Sequence, residues 1–139
     1  MHTNQIIQQL DDREFLAQFE NKSLDPSYFN HIGHLRLAWL FLSNDDVDSA
    51  IQRISSGIQA YAESLGATTK FHATITDSIA RIMASRMEAM PQENWVLFLE
   101  HNSDLVYDAL SLLYQQFSKD MLFSEESRIS LVQPDIKPL

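Results

Sequence analysis

Apolar residues recur every three or four positions through most of this chain, which is the spacing of amphipathic α-helices. The pattern is clearest in residues 47–65, where small and branched apolar side chains form one stripe and most polar residues lie outside it. Gly66 follows at once, as expected for a residue that ends a helix. The spacing therefore predicts a long amphipathic helix capped by Asp45 or Asp46.

A second segment, residues 30–42, is apolar on nearly every side and is therefore predicted to be a central helix covered by its neighbours. Asn30 is a suitable cap for its first turn, and the pattern ends near residues 43–44. His31 and His34 lie in that first turn, on the same face as core positions such as Leu42. The pattern therefore predicts a buried polar site at the start of the central helix.

The third strongly periodic segment, residues 71–90, is predicted to be a helix capped by Thr68 or Thr69, with Thr74 and Asp77 on its polar face. The rest of the pattern predicts helical pieces in residues 3–20 separated at Asp11 and Asp12, one of which caps the second piece, and helices at 94–100 and 103–117. It also predicts a turn at 118–123, a short helix capped by Ser124 and an extended tail from 133.

The elements indicate an all-α fold in which residues 1–139 form a single helical domain, a bundle of about four main helices plus short ones. Three glycines and four prolines are too few for the many tight turns of an all-β fold. Because the connections are short, neighbouring helices should run antiparallel, so the helices at 30–44 and 71–90 should start at the same end of the bundle.

Composition narrows the choice of partners. The net charge of −9 argues against binding to a nucleic-acid backbone or to an anionic membrane surface. The N-terminal residues lack the basic region followed by an apolar run that is typical of a signal peptide. No run of about 20 apolar residues, the length that spans a bilayer, is present. We therefore expect a cytoplasmic protein that does not enter the membrane. The chain has no cysteine, so a bound metal would need imidazole or oxygen ligands.

Three histidines carry the candidate chemistry: His31, His34 and His72 each lie in the first turn of a predicted helix, on its apolar face. Burial and the positive end of the helix dipole both disfavour a protonated imidazole there. Neutral imidazoles can ligate a metal, act as a general base or bind an anion together with backbone N–H groups. Zinc, iron and manganese are the candidate metals, with these three histidines as ligands.

Each of these residues also has a structural interpretation. A histidine on an apolar face often bonds a carbonyl or a neighbouring side chain within the core. Thr76 lies one turn beyond His72 and could offer its hydroxyl to the same pocket, or bond the carbonyl one turn back. Arg36 points away from the histidines and is predicted to pair with an acid on another helix.

Three blocks of the chain resemble an uncharacterised family of small bacterial proteins. They are FNHIGHLRLAWL at 29–40, FHATIT at 71–76 and the ending SEESR…VQPDIKPL at 124–139. The family pattern reads approximately F-x-H-x-x-H-L-R-x-A-W, Y-H-E-T-I-T and a terminal P-D-x-x-P-L. The resemblance spans most of the chain and implies a common all-helical fold, but it brings no established activity with it.

On this resemblance, His31, His34 and His72 match the family's histidines. The chain departs from the family pattern in the second block, where Ala73 replaces a glutamate and Phe71 replaces a tyrosine. A proton-transfer or metal-binding role of that glutamate would therefore be missing here.

Three functional hypotheses follow from these patterns. The first is a pocket lined by His31, His34, His72 and Thr76, belonging to a metal-dependent enzyme that acts on a small molecule. The alternative is a non-catalytic ligand-binding or protein-interaction module whose histidines are structural. A third is a site for an anionic small molecule between the starts of the two helices that carry the histidines. The sequence leaves substrate, reaction and oligomeric state open.

Overall fold

The computed structural model describes residues 10–91 and 94–137, and this part of the chain contains nine α-helices and no β-strand. The predicted all-α fold is thus confirmed. The helices are α1 (Asp12–Glu20), α2 (His31–Asn44), α3 (Val47–Ser64), α4 (Ala73–Ala89), α5 (Trp95–His101), α6 (Ser103–Tyr107), α7 (Ala109–Leu113), α8 (Lys119–Leu122) and α9 (Glu125–Ile129). Short 3-10 turns occupy Pro26–Tyr28 and Thr68–Lys70. The helical piece predicted before Asp11 lies almost wholly outside the described residues.

Local sequence signals set most of the helix starts. Asp11, Asn30, Asp46 and Ser124 each accept a hydrogen bond from a backbone N–H in the first turn of the following helix, as predicted. Gly66 has a φ of +69°, a conformation in which a side chain is strained, and it follows α3 as a helix stop.

Helices α2, α3 and α4 pack against one another and form the centre of the molecule. α2 is buried over most of its surface, including Leu35 and Leu37, as its nearly uniform apolar pattern predicts. Leu42 on the same helix is only half-buried, and Trp39 packs on the aromatic rings of Trp95 and Phe98. Among the described residues, we find no helix that has both the length and the apolar character needed to cross a lipid bilayer.

Arg36 pairs with an acid on another helix, as predicted. Only 4% of Arg36 is exposed, and its Nη2 donates to Asp12 Oδ1 at 2.9 Å and to the Leu10 carbonyl at 2.5 Å. The guanidinium also lies 4.5 Å from the centre of the Phe15 ring. The buried charge is therefore compensated, and it joins α2 to the first described helix.

The polar face of α4 is covered by other parts of the chain over the first turns of the helix. Thr74 is fully buried and Asp77 nearly so, because α9 and the segment after it pack over this face. The Thr74 hydroxyl donates to the Ser130 carbonyl and accepts from the Val132 N–H, at 3.1 and 3.2 Å. A distant segment of chain thus supplies partners for a side chain that would otherwise need water.

Three local predictions also need correction. Neither Thr68 nor Thr69 caps α4, since they belong to a 3-10 turn and the helix begins later. The helix predicted at 103–117 is broken at Asp108, whose backbone φ and ψ of −147° and 34° are not helical. The turn predicted at 118–123 contains the short helix α8, which Ser118 caps.

Candidate functional site

A cavity of about 410 Å³ lies between α2, α3 and α4, where α2 and α4 begin. Its lining includes all four residues predicted from the sequence to share a pocket, His31, His34, His72 and Thr76. The volume falls within the range of about 300–1,000 Å³ that is typical of small-molecule sites. The structure therefore brings together side chains from positions 31–34 and 72–76 around one space.

The floor of this cavity is apolar. It consists of buried side chains from the three helices and from the residue before the His72 cap of α4, among them Leu35, Ala38, Ile54, Ile58 and Phe71. His31 and Lys70 are exposed and thus lie at the mouth of the cavity. A molecule that enters would place its apolar body on the floor and a polar group near the histidines or the mouth.

His34 is held in one tautomer. Its Nδ1 lies 2.9 Å from the Asn30 carbonyl, and because a carbonyl only accepts, Nδ1 carries the proton and Nε2 keeps a lone pair. The ring lies against Phe29, with 4.1 Å between ring centroids. Burial lowers the pKa of His34, the Asn30 carbonyl acts in the opposite direction, and nearby His31 lowers the pKa further. His34 is therefore neutral near pH 7.

The Nε2 atom of His34 has no hydrogen-bond partner among the described residues, yet it is not one of the buried polar atoms without a partner. It therefore borders accessible space, and His34 is one of the residues that line the cavity. The unpaired Nε2 of this lining residue is thus a candidate hydrogen-bond acceptor for a molecule in the cavity.

His31 lies at the mouth and ties the start of α2 to α6. Its Nε2–H donates to the Leu105 carbonyl at 2.7 Å, which leaves the lone pair on Nδ1. This bond crosses from the central helices to a segment more than 70 residues later in the chain. His31 is therefore a structural link that keeps one free acceptor atom.

His72 caps α4, a role that the sequence pattern assigned to a threonine. Its Nδ1 accepts from the Ile75 N–H at 3.1 Å, and its Nε2–H donates to the Leu122 carbonyl at 2.8 Å. Burial lowers the pKa of His72, although the bond to Leu122 acts against this. Both ring nitrogens are used, so His72 borders the cavity mainly as a structural residue.

Thr76 lines the cavity one turn into α4. Its backbone N–H continues the helix by bonding the His72 carbonyl at 3.1 Å. Within the described part of the chain its hydroxyl has no hydrogen bond, and the alternative bond to the carbonyl one turn back is not formed. The hydroxyl is therefore available to a molecule in the cavity.

The expected three-histidine metal site does not fit this arrangement. No group of three or more His, Asp or Glu side chains in residues 10–91 and 94–137 is placed to hold a metal ion. The reason is that a ligating nitrogen must offer a lone pair, and His72 has already used both nitrogens. His31 and His34 keep one lone pair each, which is fewer than a zinc, iron or manganese site requires from its protein ligands.

Lys70 is a lining residue that the sequence reasoning missed. It ends the 3-10 turn before α4, so it lies at the same end of the bundle as the histidines. Its position two residues before His72 was the available signal, because residues next to a helix start share its end of the bundle. Phe29, directly before the cap of α2, could have been found in the same way.

The two lowered histidine pKa values predict a pH dependence of stability. His34 and His72 bind fewer protons in the folded than in the unfolded chain, where the pKa of histidine is near 6.5. Stability is therefore greatest above that value and is lost as the pH falls. We expect the free energy of unfolding, measured by urea denaturation, to decrease steadily between about pH 7.5 and pH 5.5.

Matched variants test whether these two residues cause the effect. His72→Asn keeps a good helix cap without a titrating ring, and His34→Gln removes the second ring. The double variant should have a flatter stability profile over the same pH range. A wild-type profile that is already flat, or a double variant with the wild-type slope, would contradict the assignment.

Comparison of this chain with protein-family models, with curated proteins and with solved structures gives no match. The resemblance to a bacterial family stays a prediction, and the case for function rests on the geometry of the cavity.

Proposed function

We propose that the protein binds a small organic molecule in the cavity between α2, α3 and α4, and that this molecule has an apolar body and a hydroxyl group. The observation that carries the proposal is His34, which offers an Nε2 lone pair beside an apolar floor. A hydroxyl of the ligand donates to this lone pair, while the apolar body displaces water from Leu35, Ile54 and Ile58.

The tautomer of His34 determines which ligands suit the site. Because the Asn30 carbonyl holds the proton on Nδ1, a neutral His34 can accept a hydrogen bond on the cavity side but cannot donate one. A ligand with only an acceptor at this point would face an unpaired lone pair in poorly hydrated surroundings. Molecules with a hydroxyl should therefore be preferred over their methyl ethers, which lack the donor and are larger by one methyl group.

The alternative is a module in which the histidines are purely structural. It is supported by the carbonyl bonds of all three rings, at 2.7–2.9 Å. It does not account for the cavity or for the free Nε2 of His34. The two interpretations differ in whether blocking the cavity changes ligand binding.

The test uses 4-propylphenol as the probe and 4-propylanisole as its donor-free analogue, both measured by isothermal titration calorimetry. We expect the phenol to bind more tightly than the ether by about two- to tenfold, the usual contribution of one hydrogen bond. Thr76→Phe, which places a ring in the cavity, should weaken binding of the phenol by more than about tenfold.

Thr69→Phe is the matched control, because Thr69 is exposed and is not a lining residue of the cavity. It should bind the phenol as the wild type does. Loss of binding in both variants would indicate a general effect of the added ring. Absence of phenol binding, or equal binding to wild type and Thr76→Phe, would contradict the proposal and favour structural histidines.

A further inference from the structure

We propose that the ligand also carries an anionic group, a carboxylate, which pairs with Lys70 at the mouth of the cavity. This inference rests on the proposed function and specifies its ligand class as small hydroxylated carboxylic acids with an apolar body. The evidence for this inference is the distribution of charge around the cavity.

The cavity differs in charge from the rest of the chain. The chain has 19 acidic residues against 10 lysines and arginines. Among the described residues that line the cavity, however, none is acidic, and Lys70 is the single Lys or Arg. The starts of α2 and α4 at this cavity add potential of the same sign, because a helix begins with a partial positive charge. An anion is therefore attracted to this opening, although the protein as a whole repels anions.

Lys70 is available for such a pair. It is exposed, and none of the ion pairs within residues 10–91 and 94–137 includes it. By contrast, the arginines that lie near acids, such as Arg53 and Arg86, are engaged with Asp45 and Asp104. The Lys70 ammonium group lies at the edge of the cavity and has no acidic partner among the described residues. It is therefore placed to pair with an anionic group of a ligand.

The two polar contacts require different groups on the ligand. His34 accepts from a hydroxyl, and its lone pair would repel a carboxylate placed directly against it. Lys70 only donates, and it pairs with an anion. The ligand therefore has its hydroxyl and its carboxylate at separate points of the same small apolar body.

The experiment compares 3-(4-hydroxyphenyl)propionate with 3-(4-hydroxyphenyl)propanamide, which has the same ring and hydroxyl but no charge. Both are titrated calorimetrically into the wild-type protein and into Lys70→Gln, a variant that changes only an exposed side chain. We expect the acid to bind the wild type about two- to fivefold more tightly than the amide, as for one solvent-exposed ion pair. Lys70→Gln should remove this difference, so that the acid and the amide bind the variant with equal affinity.

The outcomes separate this inference from the proposed function. If the amide and the acid bind equally, and Thr76→Phe weakens both, the cavity is the ligand site and the anion inference is wrong. If Lys70→Gln weakens both probes to the same extent, Lys70 does not select for charge and the inference is also overturned. If neither acid, amide nor 4-propylphenol binds, the proposed function itself fails.

Discussion

Replacement of Leu37 by alanine is expected to lower the free energy of unfolding by about 3–4 kcal/mol, a large part of the about 5–15 kcal/mol of a typical domain. Leu37 is fully buried in α2 and belongs to the main hydrophobic core. Removal of its branched end leaves a hole that rigid neighbours on several sides cannot fill. Urea denaturation should show a lower midpoint with an unchanged slope.

Leu42→Ala is the matched control on the same helix. The helical pattern placed Leu42 with the core residues, but its side chain is half-buried and borders an open groove beside Trp39 and Val47. Solvent can occupy the space left by its removal, so we expect a loss of about 1 kcal/mol. Equal losses for the two variants would mean that α2 is rotated relative to the structure described here.

Gly33→Ala should cost about 3 kcal/mol, although alanine is intrinsically a better helix former than glycine. A Cβ atom at position 33 would lie 2.1 Å from the carbonyl oxygen of Tyr28. That oxygen belongs to the backbone of the Pro26–Tyr28 turn, so the turn itself must move away. Because Phe29 follows this turn and packs on His34, the variant should also weaken binding of 4-propylphenol.

Gly66→Ala separates this steric effect from the general effect of replacing a glycine. A Cβ atom at position 66 would have no atom within 4 Å, and only the positive φ of 69° opposes it. We expect a loss of about 1 kcal/mol and no change in ligand binding. A Gly33→Ala variant as stable as the wild type would show that the turn and α2 are farther apart than in this structure.

The helix boundaries show which features of the fold can be predicted from residues close together in the sequence. Asn30 and Asp46 could be identified as caps from the sequence because a cap bonds backbone N–H groups only two or three residues away. His72 was missed as a cap because histidine is not among the residues usually found there. Its ring is held in place by the Leu122 carbonyl, 50 residues later in the chain, and no local pattern contains that bond.

The candidate site likewise combines features that follow from neighbouring residues with features that depend on the tertiary structure. The histidine positions and the shared end of α2 and α4 followed from helical spacing and short connections, which are local properties. The roles of the rings did not follow, since each depends on which carbonyl lies opposite it. His34 bonds its own helix and keeps an acceptor for the cavity, whereas His72 uses both nitrogens within the fold.

The sequence by itself determined the all-α class, most helix starts and the face of α2 that carries His31 and His34, because these depend on residues within one or two turns of each other. Only the tertiary structure decided that Thr74 is buried, that Lys70 joins the cavity and that the three histidines do not form a metal site. Those properties arise from packing between segments far apart in the chain, where hydrogen-bond partners and neighbouring charges are chosen by the fold rather than by sequence spacing.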